Sequence, residues 1–263
     1  MIMRRLSPLS AAVLLALGLA RATFAVDPDD LAVRLETVMG SDAFTQARVL
    51  HFTWAVERDG ERIATWDHTW DRWSGDYRLA GVDRESGAPW LALFNVGSRE
   101  GRVWLDDEEV TGDALPAQLE RAYGRFINDT YWLLMPWKWR DPGVNLTHLG
   151  TEQVGGAVCD VVELSFADVG LTSKDRYRAY LDRESGLMVR WAYVLQGEDG
   201  APGSGEPTVW DWTEWTEVEP GVWFAFRKVR QGGDGPAAAI VTDGVELFLE
   251  PGDEELAGWF RAP

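Results

Sequence analysis

His51, His68 and His148 are the only histidines of this chain, so general-base chemistry near neutral pH would have to centre on one of them. His51 and His68 fall on consecutive strand-like runs. They could share a metal if a third ligand such as His148 or Asp67 converged, although spacing alone does not bring it there. Ordinary hydrogen-bonded or exposed histidines are the expected state, and neither a metal nor a cofactor is expected. The 43 carboxylates single out no pair at the separation that glycoside hydrolysis requires. There is no Gly-x-Ser-x-Gly elbow, His-Glu-x-x-His, phosphate-binding glycine loop or Cys-x-x-Cys. No catalytic residue is assigned, and the chain is expected not to be an enzyme. The single thiol, Cys159, sits in the alternating run Val158 to Leu164 and is expected to be an inert strand residue.

Tryptophan is the chemistry that is over-represented. There are 15 among 263 residues, many on strand-like runs. Each buries about 150–250 Å2 when packed, so a surplus beyond core filling suggests a broad apolar cavity or groove. The segment "NDTYWLLMPWKWRDPGV", Asn128 to Val144, gathers Tyr131, Trp132, Leu133, Leu134, Met135, Trp137 and Trp139 beside Lys138 and Arg140. Such a cluster fits a membrane-surface anchor, a lid over a ligand, or core.

The elements that must position these residues follow from periodicity. Arg4 and Arg5, an apolar run from Ala11 to Ala20 and Thr23-Phe24-Ala25 form an export-signal pattern with cleavage expected after Ala25. The apolar run is shorter than the roughly 20 residues of a spanning helix. The expected mature chain, residues 26–263, is one domain: exported to the periplasm, soluble and without a lipid anchor. Loss of Arg4, Arg5 and Arg21 moves the formal charge from -18 to about -21. That charge disfavours nucleic acid and adhesion to anionic lipid by charge alone. The runs Asp106 to Glu109 and Asp253 to Glu255 are expected to face water.

Asp29-Asp30 as a cap, the stripe Leu31, Leu35, Val38 and Met39, and Gly40 behind it predict one amphipathic helix. From Ala47 the period is two, with turns at Asp59-Gly60, Ser74-Gly75, Ser86-Gly87 and Glu100-Gly101, which predicts an antiparallel meander. A two-residue Asp59-Gly60 turn would pair Val56 with Ile63, Trp54 with Thr65 and His51 with His68, putting Trp66 and Trp70 on the histidine face and Phe52 and Trp54 on the other. Leu115 to Ile127 predicts a second helix, with Asn128 or Asp129 recapping a short one that Pro136 stops. Seven further strands are expected between Val144 and Leu249, interrupted by a loop from Gly197 to Pro207. The pentapeptide Asp-Arg-Glu-Ser-Gly occurs at 83–87 and again at 182–186, as one turn solution used twice.

With a signal, one amphipathic helix, a meander, a helical insertion and late strands ending in "TVWDWTEWTEVEPGVWFAFRKV", the chain resembles the LolA/LolB-like superfamily of lipoprotein carriers. Within it, "RFINDTYWLLMPWKWRDPGV" and "FADVGLTSKDRYRAYLDRESGLMVRW" are similar to uncharacterised exported lipoprotein-sorting-like proteins. The resemblance covers most of Asp29 to Leu249. It implies a mainly antiparallel β fold with few helices: an open, strongly curved half-barrel whose concave side is plugged by helices around a hydrophobic cavity. It also implies a carrier or sensor for a lipid or a lipidated protein, with a transient membrane or receptor contact.

For such a cavity and its lid the candidate residues are Phe52, Trp54, Trp66, Trp70, Tyr131, Trp132, Leu134, Met135, Trp137 and Trp191. Arg78, Lys138 and Arg140 are the polar candidates for its mouth, and Arg78 is the candidate counterpart of the carriers' cavity arginine. Two other readings of the tryptophans stay open, a carbohydrate-binding module or hydrolase with coplanar exposed rings, and an envelope protein whose aromatics only pack.

Overall fold

A computed structural model of the chain describes residues 26–166, 174–197, 201–233 and 235–263. The expected export signal lies outside the described residues, as do positions 198–200 of the expected Gly197–Pro207 loop. The first elements are helices α1 (Pro28–Met39) and α2 (Ser41–Gln46). Strands β1 (Val49–Arg58), β2 (Glu61–Asp71), β3 (Asp76–Val82), β4 (Pro89–Asn95), β5 (Gly101–Leu105) and β6 (Glu108–Glu109) form the meander. After α3 (Leu115–Leu134) come β7 (Val144–Val154), β8 (Ala157–Phe166), β9 (Arg176–Asp182), β10 (Met188–Val194), β11 (Thr208–Glu219), β12 (Val222–Gln231), β13 (Ala238–Phe248) and α4 (Asp253–Trp259).

The 13 strands make one antiparallel sheet in the order β6-β5-β4-β3-β2-β1-β13-β12-β11-β10-β9-β8-β7. Only β1 with β13 joins strands distant in sequence, so each half is a meander and the sheet is open, with β6 and β7 as its edges. It curves around its helices. Helix α1 packs on both β12 and the edge strand β7, while α3 spans β4, β5, β12 and β13. One continuous core therefore unites residues of both sheet halves with α1, α2 and α3, and α4 lies on the opposite, outer face against β1 and β13. The fold is the open, curved half-barrel with helices on its inner side.

Local chemistry explains the element ends. The Asp27 carboxylate, rather than Asp29 or Asp30, caps α1 by accepting from the Asp29 N–H at 3.0 Å, and Asp29 and Asp30 occupy the first turn, where their charge favours the helix dipole. Gly40 ends α1 at φ 81°, and a Cβ there would lie 2.1 Å from the Gly221 carbonyl oxygen, so glycine is required twice over. Asp59 and Gly60 both take positive φ, as a two-residue hairpin of this hand demands. The repeated pentapeptide forms the same turn twice. Asp83 accepts from the Ser86 N–H and hydroxyl, and Asp182 accepts from the same two groups of Ser185. Each turn then receives an arginine from an inner helix: Arg121 of α3 pairs with Asp83 at 2.6 Å, and Arg34 of α1 donates to the Arg183 carbonyl at 2.7 Å.

Two expectations need correction. The hairpin register holds only for Arg58 with Glu61 and Glu57 with Arg62; then Val56 pairs with Ala64, leaving Ile63 as an extra residue in β2. Beyond this bulge His51 faces Thr69, Phe52 faces His68 and Trp54 faces Trp66. Phe52, Trp54, Trp66, His68 and Trp70 thus share the inner face, and His51 is on the outer one. Secondly, α3 runs without a break through Asn128 and Asp129 to Leu134, followed by a 3-10 turn over Met135–Lys138. Asp129 is not a cap; it points into the core and is bonded to Arg125, one turn earlier.

Candidate functional site

The inner face is built by alternation. Residues on the inward parity of β1 and β2 meet α3, which lies across them. Gln118 accepts from the Trp90 indole at 2.8 Å, Arg125 lies over the rings of Trp54 and Trp66, and Phe126 meets Trp70 and Tyr77 edge-on. Gly81 sits opposite Trp66, where a Cβ would come within 2.5 Å of the indole, so the missing side chain makes room for the ring.

At the centre of this contact is a buried polar group. Asp129, fully excluded from solvent, receives Arg125 Nε at 2.9 Å and lies 3.3 Å from His68 Nε2. His68 Nδ1 is 2.8 Å from the Tyr77 hydroxyl, and the Phe52 ring stacks on the imidazole. Burial pushes the His68 pKa down, against the opposing pull of Asp129, whose charge Arg125 already balances. With Nε2–H directed at the Asp129 carboxylate, a neutral ring accepts at Nδ1 from the Tyr77 O–H. Burial also holds the Tyr77 phenol up. The cluster pins α3 to β2 and β3, and removing one charge of such a pair typically costs about 3–5 kcal/mol.

Toward its C-terminal end α3 leaves a hollow of about 170 Å3. Asn128, Tyr131 and Trp132 of α3 and Met135 of the turn after it form one wall, and Tyr177, Trp191, Tyr193 and Trp212 belong to β9, β10 and β11. Trp132 meets Trp210 edge-on at 5.0 Å, and Tyr177 stacks on Trp191 at 4.8 Å. Five buried indole N–H groups, on Trp54, Trp70, Trp137, Trp210 and Trp212, have no acceptor among the described residues. That is an unusual number of unpaired donors for one core.

The predicted residues divide accordingly. Tyr131, Trp132, Met135 and Trp191 come together around the hollow. Phe52, Trp54, Trp66 and Trp70 share the inner face but lie in packed core under the stretch of α3 around Arg125 to Asp129, and Leu134 is buried. Trp137 stacks on Phe44 and meets Phe224 at a tilt of 54°. At the expected mouth, Lys138 is paired with Asp141 at 2.8 Å and Arg140 with Glu36 at 3.0 Å. Arg78 is on the outer face, in register with Thr69 and Leu93. His148 pairs with Asp160 at 3.2 Å, and with His51 and His68 on opposite faces the three histidines do not converge.

Lys228 was missed. It alternates with Phe224 and Phe226 on the inward parity of β12, beside Trp212 and Ile240. The side chain is fully buried. Nζ donates to the Ala225 carbonyl and Thr242 Oγ1, both at 2.6 Å, and lies 4.9 Å from the Trp212 ring centroid. No carboxylate pairs with it among the described residues, and burial drives its pKa well below the ordinary value. The parity of "FAFRKV" was the available signal.

No protein-family model and no curated protein matches the chain. Solved structures do. The chain is similar to a LolA superfamily protein from Nitrosomonas europaea, over 88% of its own length and 97% of that chain, with a TM-score of 0.52 at 10% sequence identity. A DUF1329 family protein from Desulfovibrio piger is matched over 87% of this chain and 96% of its own, at TM-score 0.46 and 15% identity. The lipoprotein LppX from Mycobacterium tuberculosis is matched over 86% and 99%, at TM-score 0.31 and 13% identity. The first of these establishes a shared LolA-like fold.

Proposed function

We propose that the chain is an exported, non-enzymatic carrier or sensor that takes an acyl chain, from a lipid or a lipidated protein, between α3 and the aromatic inner face of the sheet. The observation that carries this reading is the aromatic hollow under Trp132, whose wall includes the Trp212 indole, a donor without an acceptor among the described residues. At about 170 Å3 it falls below the roughly 300–1,000 Å3 of ordinary ligand pockets. Uptake of a whole chain therefore requires the end of α3 to lift from β9–β11, and the hollow is where that separation starts. Each methylene then buried contributes about 0.8 kcal/mol, which needs no positive charge on an acidic protein. The Trp212 indole on the wall, and the Lys228 amine 4.9 Å from its ring, offer donors to an ester, amide or carboxylate group at the head of the chain. Export is supported by the N-terminal charge and hydropathy pattern.

Of the 15 tryptophans only Trp73 is exposed, so no flat row of rings is offered to a sugar. Native mass spectrometry of protein extracted from the producing cell tests the proposal. A co-purifying acylated species is expected, together with a tryptophan emission change on adding palmitate; repeated preparations with neither would overturn it.

A further inference from the structure

A second cavity, of about 750 Å3, lies on the outer face, separated from the hollow by the sheet itself. Its floor crosses β1 to β5, and its roof is Trp259 with the C-terminal residues Arg261 to Pro263. The volume falls within the range of small-molecule sites. His51, Thr69 and Arg78 form one row across β1, β2 and β3 on this floor. Arg78 is half-buried and, among the described residues, has neither a hydrogen bond nor an ion pair. That is conspicuous in a chain with 43 acidic and 25 basic side chains. Arg72, also half-buried, donates instead to the carbonyls of Phe44 and Ala47. At the other end of the row, His51 Nε2 is buried without a partner among the described residues, while Nδ1 is 3.8 Å from Glu246 and the ring meets Trp259 edge-on at 4.7 Å.

The lining also fixes the ligand's charge and shape. Asp67, held by the Thr53 hydroxyl at 2.8 Å, and Asp107 line the same space, and with the large negative net charge they oppose a multiply charged anion. Two guanidinium groups without an ion pair among the described residues line the space, the half-buried Arg78 on the floor and the exposed Arg261 on the roof. The planar fork of Arg78 suits one planar carboxylate, which it can grip with two parallel hydrogen bonds. Trp104 and Trp259 wall the space with aromatic surface. We propose that the outer-face cavity binds a small amphipathic carboxylate, forked on Arg78 above Thr69, with its apolar body between Trp104 and Trp259. This site is independent of the acyl-chain reading and survives its failure.

Calorimetric titration of the purified full chain with 3-phenylpropionate, 3-phenylpropan-1-ol and phenyl phosphate tests it. Saturable binding of 3-phenylpropionate is expected, weakened about tenfold or more by Arg78→Gln and by use of the alcohol, since a charge-assisted fork contributes at least that much. Arg78→Lys keeps the charge but not the fork and should fall between. Lys228→Met, on the other face, should leave the affinity unchanged. Equal binding of the alcohol, tighter binding of phenyl phosphate, no saturation at millimolar 3-phenylpropionate, or Arg78 variants that bind as the wild type would each overturn the proposal. Should Arg78→Gln fail to fold, the ligand series on the wild-type chain and Arg78→Lys decides alone.

Discussion

The rings of Phe52 and His68 face each other across β1 and β2, 4.3 Å between centroids and 3° from parallel. The one extra residue at Ile63 creates this contact, because without it His68 would face His51. The stack completes the enclosure of an imidazole already bounded by Tyr77 and Asp129.

Stability should consequently depend on His68 below neutral pH. The folded pKa is lowered, whereas an unfolded histidine protonates near about pH 6.5. In the window beneath about pH 6.5 the unfolded chain binds more protons, so stability is present above it and falls as the pH drops. His51, also lowered by burial, contributes in the same sense. Urea midpoints from pH 8 to pH 5 should fall for the wild type and fall less steeply for His68→Gln. Parallel curves would refute the assignment.

Gly40 and Gly60 both have positive φ, but only Gly40 is crowded by backbone. Gly60→Ala should cost about 1 kcal/mol from conformation alone. Gly40→Ala should cost clearly more, because the Gly221 carbonyl must shift as well. Denaturant unfolding of the pair gives the comparison, and equal losses would show that the α1 end yields without strain.

Lys228→Met removes a buried amine that pairs with no carboxylate among the described residues, so the variant should be at least as stable as the wild type. Thr242 Oγ1 retains its bond to the Ala225 carbonyl. If Lys228 serves the head of an acyl ligand, the same variant should weaken palmitate binding while leaving palmityl alcohol unaffected. Thermal melts and tryptophan emission read the two effects separately.

Leu133 and Trp132 are neighbours with different duties. Leu133 is buried in the main core, and Leu133→Ala should lower stability by about 2–5 kcal/mol. Trp132 is part of the hollow's wall, so Trp132→Ala should change the affinity for palmitate and its release rate. An unchanged affinity and rate would move the entry point away from this end of α3.

What the sequence made legible was local. The stripe and glycine of α1, the Asp59-Gly60 turn, the repeated pentapeptide and β8 from Ala157 to Phe166 depend on neighbours within a few residues. The bulge at Ile63 has no glycine to announce it, and it exchanges the faces of every later residue of β2 relative to β1. Asn128-Asp129-Thr130 has the composition of a cap, yet burial of Asp129 against Arg125 and His68 outweighs that local preference. Part of the site was accessible in the same way: Tyr131, Trp132 and Met135 stood out by clustering, while Tyr177 and Trp212 join them only through strands far along the chain. Arg78 was legible as a charge on a strand, but its face followed from the parity of β3 against β2.

Because β6 and β7 never meet, the sheet has no seam to tear. A closed barrel can widen only by breaking inter-strand hydrogen bonds, whereas this one can change its girth by twisting, with every rung of its ladders intact. Admission of a bulky guest then strains side-chain packing along α3 and leaves the backbone framework whole.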